Sequence, residues 1–213
     1  MELLKQVMPY LLSGLKITVL VSAFALVFSM LLGLVLALLK RNGTKCMGKI
    51  IDGYIKIFRN TPFMIQVYLA YNLPPLLGLH PKAIVLGTVI LIMYEAAYLT
   101  VTFQMGFDAI PKGQEEAAIA LDIPYLTRIR KILLPQVMKV ILPTVTSILI
   151  VTVKDSSLLS VITITELTME ASRCASITFL PFEVYIITGV LYWILNMLIE
   201  LVMKLFSQKY LAY

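Results

Sequence analysis

Apolar residues along this chain fall into five long blocks that are separated by short polar segments. The blocks cover residues 14–39, 60–79, 83–107, 140–165 and 184–206. Because a helix rises about 1.5 Å per residue, about 20 apolar residues cross the roughly 30 Å hydrocarbon layer of a bilayer. The pattern therefore predicts an all-α integral membrane protein, in which residues 1–213 form a single transmembrane domain of five transmembrane helices.

The composition supports a membrane protein and argues against a soluble one. Of the 213 residues, 60% are hydrophobic and 14% are charged, whereas soluble domains have about 25% charged residues. The net charge of +6 is compatible with nucleic-acid binding, but the basic residues cluster between the apolar blocks, as orientation signals in a membrane do. We therefore expect the lipid bilayer as a partner and no nucleic acid.

The basic residues also predict which side of the membrane each loop occupies. Most of the 18 Lys and Arg residues lie in residues 40–59, in residues 108–139 and after the last block. Since cytoplasmic loops are enriched in Lys and Arg, these segments are expected in the cytosol. The N-terminus is then outside and the C-terminus is cytosolic, which agrees with five crossings.

The segment 108–139 has more helical pattern than a connector needs. Good helix formers occupy Gln114–Leu121, and Pro124 ends that helix. A second helical pattern covers Tyr125–Leu134, and its apolar residues share one face: Leu126, Ile129, Ile132 and Leu133. The pattern alone fits two structures: a protruding helix–corner–helix elbow, or an amphipathic helix that lies on lipid.

One motif in this segment favours the elbow. Residues Glu116-Ala117-Ala118, followed by Leu134-Pro135, resemble the "EAA" loop of binding-protein-dependent ABC importer permeases. The resemblance implies a coupling helix that binds the ATPase subunit. The residues expected to make that contact are Gly113, Glu116, Ala117, Ala118 and Asp122. Relatives usually have Gly where this chain has Asp122, and Asp is among the few residues that tolerate a positive-φ corner.

Three further stretches resemble one branch of that family, the permeases of polar amino-acid importers of the histidine, glutamine, arginine and cystine type. They read FRNTP at 58–62 with Gln66, AYL at 97–99 with IPKGQ at 110–114, and KDSSL at 154–158 with ELT at 166–168. Many members have an acidic and a basic residue after AYL, where this chain has Val101 and Gln104. We therefore expect substrate contacts or gating to differ in this region.

The resemblance also implies an architecture and a set of partners. It predicts a type I ABC importer permease that works as a dimer with a second copy or a sister permease in the bacterial cytoplasmic (inner) membrane. ABC ATPase subunits and an extracytoplasmic solute-binding protein would complete the transporter. ATP and Mg would bind the ATPase, since this chain has no glycine-rich phosphate loop ending in Lys-Ser/Thr. We therefore expect no cofactor in this chain.

Charged residues interrupt two of the predicted spans. Glu95 lies near the middle of the third block, and Lys154 and Asp155 lie within the fourth. A charge near the bilayer centre costs about 2.5–3.5 kcal/mol on insertion scales, so these side chains are expected to face a partner, a cavity or the protein interior. The candidate substrate path consists of Glu95, Tyr98, Gln66, Lys154, Asp155, Ser156 and Ser157. The alternative is structural, with an ion pair between Lys154 and Glu95 and interhelical hydrogen bonds from Gln66 and Tyr98.

These observations predict a permease subunit that imports a polar amino acid by alternating access, coupled through the EAA loop to a separate ATPase. An acidic path favours a basic or neutral polar substrate. The alternative function is a passive channel, or a subunit that gates solute without an ATPase. A membrane enzyme is disfavoured because neither HExxH nor GxSxG occurs. Accordingly, we expect neither catalytic nor metal-binding residues.

Overall fold

A computed structural model describes the backbone of residues 2–210 and the side chains of residues 2–208. Within that range every regular element is a helix, which confirms the predicted all-α class. The α-helices are α1 Glu2–Asn42, α2 Lys45–Asn60, α3 Phe63–Leu76, α4 Ala83–Asp108, α5 Lys112–Ala120, α6 Tyr125–Thr127, α7 Leu134–Asp155, α8 Leu167–Thr178 and α9 Pro181–Tyr210. A π-helical turn, Arg128–Leu133, joins α6 to α7, and a 3₁₀ helix, Ser156–Ile162, follows α7.

Four helical segments of the described chain are long and apolar enough to cross a membrane. They are α1, α4, the continuous segment Tyr125–Ile162, and residues Pro181–Gln208 of α9. The predicted second span, residues 60–79, contains only the 14-residue helix α3, which is about 21 Å long. The four long helices confirm four of the predicted blocks, and the second block has a shorter helix than its apolar length suggested.

The second block is short because the chain breaks at Thr61 and Pro62, between α2 and α3. Thr61 has an extended backbone with φ −112° and ψ 140°. A residue before proline is pushed out of the helical region because the proline ring would clash with it. Helix α2, which the sequence analysis treated as a basic loop, therefore ends where α3 starts. The hydroxyl of Thr44 begins α2 by accepting a hydrogen bond from the Met47 N–H at 3.3 Å.

The interior is a packed arrangement of α1, α4, α7 and α8. Small residues allow the closest approaches, because membrane helices associate mainly through backbone proximity and van der Waals packing. A Cβ added to Gly33 of α1 would lie 2.8 Å from the Cβ of Leu99 in α4. A Cβ added to Gly14 would lie 2.9 Å from the carbonyl oxygen of Glu166. These glycines set the distance between α1 and its neighbours.

Large apolar side chains cover the outside of the long helices. On α1, Leu20, Phe24 and Leu31 are exposed, while Val21, Ala25 and Ser29 on the opposite face are buried. On α9, Trp193 is 62% exposed. An apolar surface of this extent is unstable in water but is solvated by lipid tails, so the surface fits the predicted bilayer environment.

Helix α8 was not predicted from the apolar pattern. The chain leaves the 3₁₀ helix through Thr163, which has φ +64°, and α8 then begins at Leu167 with Glu166 as its N-cap. The Glu166 carboxylate accepts hydrogen bonds from the Met169 N–H at 2.8 Å and from the Tyr192 hydroxyl at 2.9 Å. Burial raises the pKa of Glu166, and these hydrogen bonds act in the opposite direction. Glu166 thereby connects α8 with α9.

Candidate functional site

The predicted elbow is present as two short helical pieces joined by a sharp corner. Residues 112–133, called the elbow below, contain α5, the corner, α6 and the π-helical turn. Asp122 occupies the corner with φ +52°, which is the conformation expected where relatives have Gly. The Ile123 N–H donates to the Ala118 carbonyl at 3.0 Å and closes the end of α5.

Most of the residues predicted for ATPase contact lie on the surface of the elbow. Gly113, Glu116, Ala117 and Asp122 are exposed, whereas Ala118 is 3% exposed and packs inward. Three large apolar side chains are exposed beside them: Ile119, Leu121 and Leu126. The elbow thus presents a mixed apolar and acidic surface that is suited to a protein partner.

Leu126 does not share a face with Ile129 and Leu133, although the helical spacing predicted one common apolar face. Ile129 and Leu133 are buried, while Leu126 is 78% exposed. The reason is the π-helical turn Arg128–Leu133, because i→i+5 hydrogen bonding changes the angular spacing on which the prediction depended. Leu126 therefore adds to the exposed surface instead of the core.

Glu115 anchors the elbow to the C-terminal end of α1. Its carboxylate forms an ion pair with Arg41, and its Oε1 lies 3.8 Å from Arg128 Nε. The Asn42 amide donates to the Tyr125 hydroxyl at 2.5 Å, which ties α1 to α6 as well. The sequence analysis missed this anchor, because Arg41 and Glu115 are 74 residues apart and no local spacing connects them.

A second anchor connects the elbow with α7. Gln136 Nε2 donates to Gln114 Oε1 at 2.6 Å and to the Ile132 carbonyl at 2.8 Å. Together with the Glu115 anchor, this contact attaches the elbow to two of the long helices. A displacement of the elbow would therefore move α1 and α7.

Two of the predicted path residues, Glu95 and Tyr98, line one cavity at the level of the spans. The cavity has a volume of about 220 Å³ and is lined by Tyr94, Glu95, Tyr98, Thr144, Ser147, Ile148 and Val151. Glu95 is 2% exposed, and its Oε1 has no hydrogen-bond partner. The hydroxyls of Tyr94 and Tyr98 lie 3.2 Å apart. The structure thus places a buried carboxyl group in an aromatic cavity.

The charged pair on α7 lies next to this cavity but does not neutralise Glu95. Asp155 is half-buried and interacts electrostatically with Glu95. Lys154 is exposed, and among the described residues the structure has no ion pair between Lys154 and Glu95. The predicted Lys154–Glu95 ion pair is therefore wrong for the single chain, in which Lys154 is exposed and Glu95 is buried.

The serines that follow this pair belong to the 3₁₀ helix. Ser156 is fully buried, and its hydroxyl donates to the Val153 carbonyl at 2.8 Å. The Ser157 carbonyl accepts from the Ser160 hydroxyl at 2.7 Å. Neither residue lines the Glu95 cavity. The last residue in sequence that lines it is Val151 of α7.

Gln66 closes the break between α2 and α3. Its Nε2 donates to the Phe58 carbonyl at 2.9 Å, to the Thr61 carbonyl at 3.0 Å and to the Thr61 hydroxyl at 2.7 Å. A helix end within a bilayer needs such partners, because no water is available to satisfy the free carbonyls. This geometry agrees with the structural alternative for Gln66.

Arg59, at the end of α2, is a further charged residue that the sequence analysis missed as a site residue. Its guanidinium carbon lies 5.0 Å from the ring centroid of Tyr98, and the side chain is exposed. Tyr98 is ten residues from Asp108, the end of α4, which corresponds to about 15 Å along the helix. Arg59 therefore lies well inside the thickness of the spans, beside the Glu95 cavity.

Comparison with known proteins decides the family. The family model described as "Binding-protein-dependent transport system inner membrane component" matches residues 29–211. The chain belongs to this family. The match includes the elbow and the Glu95 cavity, and it confirms the resemblance on which the sequence analysis depended.

Relatives within the family are permease proteins with amino-acid names. The chain is 33% identical to the arginine transport system permease protein ArtQ of Bacillus subtilis, over 94% of this chain and 92% of ArtQ. It is 32% identical to the putative glutamine transport system permease protein GlnP of Rickettsia bellii, with the same coverage. Glutamate/aspartate import permease protein GltK of Escherichia coli O6:H1 is 27% identical, over 95% of this chain and 94% of GltK.

Solved structures of the family share the fold. A crystal structure of an amino acid ABC transporter with histidines has a TM-score of 0.87 and 30% identity, covering 97% of this chain and 96% of that chain. The inward-facing MetNI methionine ABC transporter has a TM-score of 0.82 at 20% identity, covering 95% of this chain and 97% of that chain. The second similarity shows the fold alone.

Gln104, a departure from the motif that the sequence resembles, contacts a basic residue. Gln104 Oε1 accepts a hydrogen bond from Lys40 Nζ at 3.2 Å, and Lys40 also forms an ion pair with Asp52 at 2.6 Å. Lys40 thus supplies a positive charge beside Gln104, where the resemblance led us to expect a basic residue. No feature of the spacing between residues 40 and 104 predicted this contact.

Proposed function

We propose that this chain is the permease subunit of an ATP-driven importer that moves a polar amino acid into the cell by alternating access. The chain would pair with a second copy or a sister permease and would bind two ABC ATPase subunits and an extracytoplasmic solute-binding protein. The observation that carries the proposal is the elbow. Its tip offers an exposed apolar and acidic surface, and its base is bonded to two long helices.

The coupling proposed here follows from those two anchors. An ATPase that seats on Glu116, Ala117 and the apolar side chains beside them would move the elbow when ATP closes it. The contact between Glu115 and Arg41 would pass that movement to α1, and the contact between Gln114 and Gln136 would pass it to α7. Both helices would then rock and change the side from which the path is open.

We further propose five crossings, with α2 and α3 together forming the second. The Tyr54 hydroxyl donates to the Met93 carbonyl in the middle of α4, so α2 runs beside α4 inside the spans before the chain breaks at Thr61. With basic residues at the cytosolic side, this topology places the N-terminus outside and the C-terminus in the cytosol.

The proposed substrate path runs along the face that carries Glu95, Tyr98, Asp155 and Lys154. Lys154 is exposed in the single chain, and a charge at this depth needs a polar surrounding. A water-filled path between two permease subunits would supply it. Ser156 and Gln66 would act on the path only by shaping the backbone, since their side chains donate to nearby carbonyls. Ser157 would do the same through its carbonyl, which accepts from the Ser160 hydroxyl.

The proposal is tested with Ala117→Trp in proteoliposomes that contain the complete transporter. Because Ala117 is exposed at the elbow tip, the bulky ring should block ATPase seating. We expect ATP-driven amino-acid uptake to fall at least tenfold while the permease remains folded. Uptake and ATP hydrolysis are measured together, with Cys46→Trp as a control that adds the same ring at an exposed position outside the elbow.

Two outcomes would contradict the proposal. Normal coupled uptake by Ala117→Trp would show that the elbow tip does not seat the ATPase. Uptake by the original protein that runs without ATP, and only down the substrate gradient, would favour the passive channel instead.

A further inference from the structure

The carboxyl group of Glu95 is buried without a counter-charge. It is 2% exposed, its Oε1 accepts no hydrogen bond, and it lines the cavity of about 220 Å³. A buried polar atom without a partner loses its hydration and gains nothing in return. Such an atom at a cavity wall indicates that a partner enters the cavity from outside the chain.

The surroundings of Glu95 favour a cation as that partner. Asp155 interacts electrostatically with Glu95, and among the described residues the structure has no ion pair for either carboxyl group. Two neighbouring carboxyl groups repel each other unless a proton or a cation lies near them. The rings of Tyr94 and Tyr98 add aromatic faces, which attract ammonium groups, and Ser147 adds a hydroxyl group.

A positive charge lies over the ring of Tyr98. The Arg59 guanidinium is 5.0 Å from the Tyr98 ring centroid, is exposed and has no carboxylate partner among the described residues. An arginine is suited to a carboxylate because its planar fork donates two parallel hydrogen bonds. Tyr98 therefore contacts an unpaired arginine and lines the cavity that holds the unpaired carboxyl group of Glu95.

We propose that these two charges recognise the head group that all amino acids share. The α-ammonium group enters the cavity toward Glu95, and the α-carboxylate binds Arg59 at its rim. The inference rests on the proposed function and specifies its substrate contact. Because both contacts go to the head group, this site selects zwitterionic α-amino acids, and discrimination between side chains belongs elsewhere.

The test measures direct binding to the purified permease–ATPase complex in nanodiscs without solute-binding protein. An uptake scan in proteoliposomes that contain the complete transporter, across L-arginine, L-glutamine, L-glutamate and the other polar L-amino acids, first identifies an imported probe. Its radiolabelled form is then compared with its decarboxylated analogue, for example agmatine for L-arginine. For the original protein, we expect the amino acid to bind about tenfold or more tightly than the analogue, since the analogue loses a charged hydrogen bond.

The variants separate the two contacts. Arg59→Gln should weaken amino-acid binding about tenfold or more and leave analogue binding unchanged, and Arg59→Lys should restore part of the affinity. Glu95→Gln should weaken both ligands, since both retain the ammonium group. Lys56→Gln is the matched control, because Lys56 is an exposed cation on the same helix, and it should change neither affinity.

Equal losses for the amino acid and its analogue in Arg59→Gln would overturn the inference, as would unchanged affinities in Glu95→Gln. If the original complex imports a probe but does not bind it, the site is wrong while the proposed function stands. If the complex imports none of the polar amino acids, the proposed function fails and this inference fails with it.

Discussion

Glu115 shows how a single side chain can connect a surface helix with the membrane part of the molecule. It is the point at which α1, α5 and the π-helical turn meet, through Arg41 and Arg128. Ion pairs that are partly exposed add only about 0–1 kcal/mol to stability. The contact therefore adds little stability, and its main effect is to fix the position of the elbow relative to α1.

We expect Glu115→Gln to loosen the elbow without unfolding the protein. The variant should import less substrate per ATP hydrolysed, by about threefold or more, and its free energy of unfolding should fall by no more than about 1 kcal/mol. The measurements are coupled uptake in proteoliposomes and thermal unfolding in detergent. The double variant Arg41→Glu with Glu115→Arg, which reverses the ion pair, should recover part of the coupling.

If Glu115→Gln does not fold, Glu115 is required for stability and not only for the position of the elbow. Unchanged coupling would mean that the movement of the elbow passes through other contacts, such as the one between Gln114 and Gln136.

At the level of helices, the break between α2 and α3 is the feature that most distinguishes this fold from a simple bundle. Irregular backbone at membrane depth is tolerated where side chains satisfy the free backbone groups. Gln66 does so by bonding both Phe58 and Thr61. The break also brings the end of α2, and with it Arg59, to the ring of Tyr98.

Replacing Gln66 with leucine should destabilise this break. The change keeps the approximate size of the side chain but removes the donor from the Phe58 and Thr61 carbonyls, at a cost of about 0.5–1.5 kcal/mol. We expect a lower midpoint of thermal unfolding in detergent and normal transport per folded molecule. Asn72→Leu is the control, because Asn72 is an exposed amide on the same helix and should have little effect.

If Gln66→Leu keeps full stability but loses transport, Gln66 contributes to the substrate path. That outcome is informative because the sequence alone left both roles open.

Element lengths explain which helices the sequence could predict. Apolar length alone predicted the four long helices, since lipid solvation imposes a long uninterrupted run. The same criterion missed α8, which has 12 residues, and it treated α2 as a loop because four of its 16 residues are Lys or Arg. The break itself was not predicted, because the extended backbone of Thr61 before Pro62 became visible only in the structure.

At the scale of the whole molecule, the chain combines an apolar exterior with two polar sites far apart in sequence. The elbow lies at the C-terminal ends of α1 and α4, and the Glu95 cavity lies between α4 and α7. The motifs predicted the position and corner of the elbow, because the residues that specify it are local. The contacts of Glu115 with Arg41 and of Arg59 with Tyr98 join distant segments, so only the packed structure could reveal them.

The central claim is that the elbow is a cytosolic contact for an ATPase, and labelling of Glu116→Cys tests it most directly. The background is Cys46→Ser, since Cys46 is exposed and Cys174 is buried. A membrane-impermeant maleimide is applied to intact cells and to inside-out vesicles, with and without the ATPase subunit. Phe182→Cys, at a side chain that is 74% exposed near the start of α9, serves as the outside control.

We predict that Glu116→Cys reacts only in inside-out vesicles and that bound ATPase protects it, while Phe182→Cys reacts in intact cells. Reaction of Glu116→Cys in intact cells would place the elbow outside and contradict the account.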